Sequence, residues 1–309
     1  MIECDALTKN YGATVAVSEL SCTIEPGRVT GFLGPNGSGK STTMRMILGL
    51  DLPGRGTVLI GGRPYRTLRE PLRTVGALLD ARRVHPDRRA RDHLTMLALS
   101  NAIPSARVAE VLAVVGLGSV ARQRVRGFSL GMLQRLGIAA AILGDPAVLL
   151  LDEPTNGLDT EGIRWLRGFL RGQAGQGRTV LLSSHVMSEM ELVADHLLVI
   201  GGGRLLADEP MPAFIARSTA GAIRVRSDDN AALARAFARA GIGADRIEPD
   251  AEHRLVIRDV PAARVGAIAA EAGVIVSELT EQRASLEDVY TDLVTPHGRH
   301  RHRVAGEVA

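Results

Sequence analysis

Only two of the 37 basic residues in this 309-residue chain are lysines, Lys9 and Lys40, and Lys40 lies in Gly34-Pro35-Asn36-Gly37-Ser38-Gly39-Lys40-Ser41-Thr42. The stretch fits G-x-x-x-x-G-K-[ST], in which glycines let the backbone turn sharply and lie against an anion. Read chemically, it is a phosphate cradle. The N–H groups of Gly37 to Lys40 are expected to face a β-phosphate, the Lys40 ammonium to bridge the β- and γ-phosphates, and the Ser41 hydroxyl to ligate Mg²⁺. Farther along, the apolar run Ala147 to Leu151 ends in Asp152 and Glu153. A carboxylate at a strand tip beside the cradle can hold Mg²⁺, directly or through water, and its neighbour can polarise an attacking water. Asp152 takes the first role and Glu153 the second. Another apolar run, Thr179 to Leu182, leads to Ser183-Ser184-His185 and sets an imidazole where it can hold the γ-phosphate and that water.

These residues need a frame. Val29 to Leu33 before the cradle and Met44 to Leu48 after it predict a strand, a loop and a helix N-terminus. Short β-like runs from Met1 to Leu33, with turn signals at Asn10-Tyr11-Gly12 and Glu25-Pro26-Gly27, predict an antiparallel sheet leading into the cradle. Gly56 to Ile60 and Val75 to Leu79 read as further strands. Apolar positions at helical spacing in Arg88 to Ser100 and Ser105 to Val115 predict a helical subdomain over about residues 86–143. Phe128 to Arg135 then opens a helix that runs to Leu143, with Ser129 as N-cap. Such a start offers free N–H groups to an anion, and a serine cap is equally a purely structural device. Tyr11, upstream of the cradle, can stack its ring on an adenine or serve as ordinary half-buried packing.

Length and a 45% hydrophobic content provide for one sizeable α/β domain and a smaller one. Residues 1–217 are assigned to the first. Beyond Pro212, strand-like and helical patterns alternate and end in a helix over Leu286 to Val294, which predicts a small α+β module over residues 218–295. Residues 296–309 form a basic polar tail, read as a solvated terminus rather than a nucleic-acid arm. Cys4 and Cys22 lack metal-ligand spacing, and no signal peptide precedes them, so a reducing cytosol is expected. No apolar run approaches the ~18 residues of a spanning helix.

Taken together, the Gly34 to Thr42 cradle, Ser129-Leu130-Gly131-Met132, the Leu149 to Glu153 strand, Gly157-Leu158-Asp159 and His185 resemble, in order and spacing, the ATP-binding cassette of ABC transporters. The resemblance spans roughly residues 1 to 215. It implies an α/β P-loop NTPase cassette with a parallel core sheet, an antiparallel β subdomain and a helical subdomain, and ATP and Mg²⁺ as its ligands. Lys40, Glu153 and His185 would then be catalytic. Gly34, Pro35, Asn36, Gly37, Ser38, Gly39, Ser41 and Thr42 would cradle phosphate, and Tyr11 would stack on adenine. The resemblance also implies a head-to-tail dimer, with a second copy or a related cassette subunit, in which Ser129 and Gly131 of one subunit close over the ATP held by Lys40 of the other, with Asp159 linking the two sites.

Two departures point to one branch. Leu130 replaces a glycine of the commonest signature while Ser129 and Gly131 are kept, a variant of the exporter type. Asp80 stands where the family usually has a glutamine that touches Mg²⁺ and faces the membrane partner, and this resembles the bacitracin-resistance and lantibiotic-immunity exporter ATPases. Asp80 is therefore a candidate metal ligand alongside Ser41 and Asp152, with a solvated loop acid or a permease contact as the other readings. The C-terminal module is similar to the appendage of that branch. The expectation is an ATP-hydrolysing exporter subunit on the cytoplasmic face of the cell membrane, working with separate membrane-spanning subunits and no nucleic acid. A soluble ABC ATPase without a membrane partner is the alternative.

Overall fold

Alternation of apolar and polar side chains in the first 24 residues produces two long strands, β1 (Ile2–Tyr11) and β2 (Thr14–Ile24). They pair antiparallel around the two-residue turn Gly12-Ala13 and set Cys4 directly opposite Cys22 on the buried face. Ala6 and Glu19 adopt positive φ of 45° and 50°, and the register shifts beside them. Then come β3 (Val29–Leu33), α1 (Lys40–Ile47) and β4 (Arg55–Ile60), which completes a three-stranded sheet in the order β2-β1-β4. The structure, a computed structural model, describes residues 1–216, 222–250, 254–258, 260–282, 286 and 290. It divides into two units, Met1–Met211 and Pro212–Ala309.

All five residues of β3 are buried, as in a strand covered on both faces, where an unbroken apolar run replaces alternation. The rest of the first unit is built from α2 (Pro71–Thr74), β5 (Val75–Leu78), α3 (Ala90–Ser100), α4 (Ala106–Val114), α5 (Leu130–Ala141), β6 (Val148–Leu151), α6 (Thr160–Gly175), β7 (Thr179–Ser184), α7 (Met187–Val193), β8 (His196–Gly201) and β9 (Arg204–Pro210). Its main sheet runs β5-β6-β7-β3-β8-β9, parallel except for the antiparallel edge strand β9. The C-terminal ends of β6, β7 and β3 therefore lie side by side. The expected α/β architecture holds: parallel core sheet, antiparallel β sheet, and α3 to α5 as the helical insertion. Sequence patterns left α6, α7, β8 and β9 unread.

Helix α8 (Met211–Ala216) begins at the boundary between the units. The second unit follows with β10 (Ala222–Ser227), α9 (Asn230–Arg239), β11 (Ile247–Pro249), β12 (Leu255–Ile257), α10 (Ala262–Glu271) and β13 (Val276–Gln282). Its antiparallel sheet, β11-β12-β10-β13, with one helix in each crossover, is a split βαββαβ arrangement. Ile223, Val225, Phe237, Ile257 and Val265 form the centre of its own core. Of the helix expected over Leu286 to Val294, only Leu286 and Tyr290 are described, both helical and buried. The basic tail lies outside the described residues.

Candidate active site

The loop from Gly34 to Gly39 leaves the buried end of β3 and enters α1. Gly39 is the helix N-cap with φ of 110°, a left-handed conformation, and a Cβ there would lie 2.5 Å from the Ala16 carbonyl oxygen. No other residue type fits without moving backbone. Lys40 follows with only 6% of its surface exposed. Its Nζ donates to the carbonyl oxygens of Gly34 (2.6 Å) and Pro35 (3.2 Å) and lies 4.0 Å from Glu153 Oε1. Burial pushes the Lys40 pKa down, and Glu153 and Asp152 partly oppose it. Such an ammonium is short of counter-charge, and phosphate oxygens would supply it. Within the loop Ser38 N–H donates to Pro35 O at 3.2 Å, so the amides from Gly37 to Lys40 are not all free. Asn36 is exposed at the tip.

Asp152 and Glu153 follow the last residue of β6. Ser41 Oγ donates to Asp152 Oδ2 at 2.6 Å, and Ser183 Oγ donates to the other carboxylate oxygen. Two hard oxygens thus sit together, as Mg²⁺ requires. Among the described residues no cluster of three or more His, Cys, Asp or Glu side chains could hold a metal ion. The donor set suits a cation that takes one or two protein oxygens and completes its shell with water and phosphate. Glu153 has a φ of 49°, unusual for a non-glycine residue. Its main chain is tied on both sides: Glu153 N–H donates to Ser183 Oγ at 2.9 Å, and Gln134 Nε2 donates to Glu153 O at 3.2 Å. Its side chain turns to His185, with Nδ1 to Oε2 at 2.7 Å. Ser183 and Gln134 were missed from sequence. The period-2 geometry of β7 could have flagged Ser183, which precedes His185 by two; nothing local marks Gln134.

Tyr11, Asp80, Ser129, Gly131 and Asp159 take part in none of these hydrogen bonds. Tyr11, at the end of β1, is 49% exposed, and its hydroxyl donates to Asp51 Oδ2 at 2.7 Å. Asp80, after β5, lines a cleft with Ser41 and Asp152. Its carboxylate accepts from Arg82 N–H at 3.0 Å and Arg83 Nε at 3.1 Å. Those bonds, the Arg82 amide first, hold its pKa below the usual carboxylate value. Reaching a metal would mean releasing Arg83. Ser129 caps α5, accepting from Met132 N–H at 3.2 Å, and Asp159 caps α6, accepting from Gly162 N–H at 2.7 Å. A Cβ on Gly131 would lie 2.8 Å from Gly157 O. Among the described residues no hydrogen bond joins Ser129, Gly131 or Asp159 to the Gly34 to Thr42 loop.

A P-loop set between parallel strands, with an acidic pair and a histidine at the neighbouring strand tips, defines a nucleotide-binding ATPase cassette. Residues 17–156 match the family model described as ABC transporter, and residues 221–287 match a domain of unknown function (DUF8746). The chain is 35% identical over 297 residues to the bacitracin transport ATP-binding protein BcrA of Bacillus licheniformis, which covers 95% of this chain and 97% of that one. It is 34% identical over 209 residues to the lantibiotic transport ATP-binding protein SrtF of Streptococcus pyogenes, over 68% of this chain and 90% of that one. A solved ATP-binding subunit of an ABC transporter shares its fold, with a TM-score of 0.64 and 26% identity over 70% of this chain and 92% of that one. The chain belongs to the ATP-binding subunits of ABC transporters. No helix among its described residues is long and apolar enough to cross a membrane.

Proposed function

We propose that this chain binds and hydrolyses ATP with Mg²⁺ as a homodimer and drives efflux of an antibiotic, peptide or lipid-like cargo through separate membrane-spanning subunits, docked at the cytoplasmic face of the cell membrane. The observation that carries the hydrolytic reading is the convergence of Lys40, the Ser41–Asp152 pair and the Glu153–His185 pair at adjacent strand ends. Lys40 exchanges its main-chain carbonyl partners for phosphate oxygens and neutralises their charge. Glu153 accepts the proton of the attacking water, and His185 orients Glu153 and contacts the γ-phosphate. Ser41 and Asp152 would hold Mg²⁺, which would supply screening of the phosphate charge. Neither Ser129 nor Gly131 hydrogen-bonds its own loop among the described residues, and this supports their acting on the nucleotide of a second copy. Similarity to proteins named for bacitracin and lantibiotic transport supports export.

The test is Glu153→Gln, which keeps the side chain's shape and removes the proton acceptor. ATP binding should persist while turnover falls by about 10²–10⁴-fold, the usual worth of a general base. With Mg-ATP the variant should elute as a dimer in sizing chromatography, and adding Ser129→Arg should return it to monomer. Turnover above about a tenth of wild type would remove Glu153 from the base role. A dimer indifferent to Ser129→Arg would remove the shared site.

A further inference from the structure

Asp51 lies just beyond α1 and belongs to none of the motifs above. Its Oδ2 accepts the Tyr11 hydroxyl at 2.7 Å and also Arg45 Nε at 2.7 Å, while its Oδ1 accepts from Arg45 Nη2 at 3.2 Å. Arg45 is on α1, the helix that begins with Lys40 and Ser41. Lys9 Nζ stands 5.2 Å from the centre of the Tyr11 ring and donates to Leu52 O at 2.7 Å. The ammonium takes one face of the ring and leaves the other for a flat partner.

An exposed tyrosine ordinarily samples several rotamers, and a base that stacks on it must first select one. Here the ring is held at its hydroxyl and over one face although half of the residue is in solvent. We infer that Asp51 is a positioning residue: it fixes the Tyr11 ring in a stacking orientation for the adenine base and ties that ring to the helix that carries the phosphate loop. The inference rests on the proposed stacking of Tyr11 on adenine. Arg45 first and then Tyr11 hold the Asp51 carboxyl at a pKa of about 2, so the tether keeps its charge at any pH where the nucleotide is intact.

A role through Tyr11 differs from a local brace of α1 in which half of the nucleotide feels the change. Calorimetric titration of the full chain with Mg-ATP and with Mg-tripolyphosphate, a phosphate chain without a base, separates the two. Asp51→Asn should weaken ATP about three- to tenfold, the scale of one ordered side chain released on binding, and leave tripolyphosphate within about twofold. Tyr11→Phe, which keeps the ring and loses the tether, should match it. In a Tyr11→Ala background Asp51→Asn should add nothing. Equal loss toward both ligands, additive loss in the double variant, or unchanged ATP affinity for Asp51→Asn would each overturn the inference. If Tyr11→Ala itself binds ATP as wild type does, the stacking reading falls and the inference with it. If Tyr11→Ala weakens ATP while Asp51→Asn does not, only the inference falls.

Discussion

Lys40 shows what an enclosed ammonium costs a fold. The ammonium is nearly enclosed, and burial lowers its pKa, so at neutral pH the charged form is disfavoured in the folded chain relative to the unfolded one. That cost shrinks as pH rises through the lowered pKa. Replacing the ammonium by a chain of similar length should therefore remove a penalty along with the function. For Lys40→Met we expect a nucleotide-free stability within about 1 kcal/mol of wild type. Saturating Mg-ATP, at about a hundred times its dissociation constant, should raise the wild-type melting temperature by roughly 5–10 °C and leave the variant's unchanged. A variant that melts far below wild type, or that ATP still stabilises, would show that Lys40 is part of the scaffold. At this scale the sequence was readable wherever chemistry demands fixed spacing, as in Lys40-Ser41 and Asp152-Glu153. Ser183, Gln134 and Asp51 escaped because each reaches the site by hydrogen-bonding a residue distant along the chain, and such a bond leaves no periodic trace. Asp80 was legible as a departure, yet its pairing with Arg83 emerges only from the turn that brings the two together.

The start of α5 and the turn before α6 are fitted to each other. Gly157 has φ of 77°, and a Cβ there would lie 2.4 Å from Leu130 Cγ, while Gly131 faces the Gly157 carbonyl. Leu130, the odd residue of the signature, thus lies against the turn that leads to Asp159. Gly157→Ala should destabilise by about 2–4 kcal/mol, combining left-handed strain with overpacking. Adding Leu130→Ala should recover the packing part and leave about 1–2 kcal/mol, the backbone part. Denaturant unfolding of the three variants checks this; no recovery in the double variant would mean that Leu130 does not press on the turn. Legibility varies among the elements for the same physical reason. The exposed faces of α3 and α4 gave them a helical period, whereas β8 is buried along nearly its whole length, and its apolar run carries no period to distinguish strand from helix.

Each unit of the molecule has its own sheet and its own apolar core, Ile2, Leu20, Met44, Leu150 and Ile200 in the first and Val225, Leu233 and Phe237 in the second. All the residues assigned to phosphate chemistry belong to the first. A chain of residues 1–217 should therefore fold cooperatively and bind ATP within about threefold of the full chain, since distant groups contribute little to a local site. A folded truncation that no longer binds nucleotide would show that residues beyond 217 reach the site. The alternation of short elements beyond Pro212 was enough to foresee an α+β module, but strand order was not, because pairing is a long-range choice that local pattern does not encode.

The position of β3 has a consequence for how the molecule breathes. Flanked on both edges by strands and buried at all five residues, its amides can meet solvent only when the sheet itself opens. Deuterium should enter β3 only through global unfolding, and the loop it carries through small local fluctuations. The groups proposed for catalysis are thus mounted at the rim of strands expected to exchange slowly. Nucleotide can come and go by ordering a few loop residues, while the strands that aim those residues retain a protection set by the whole domain.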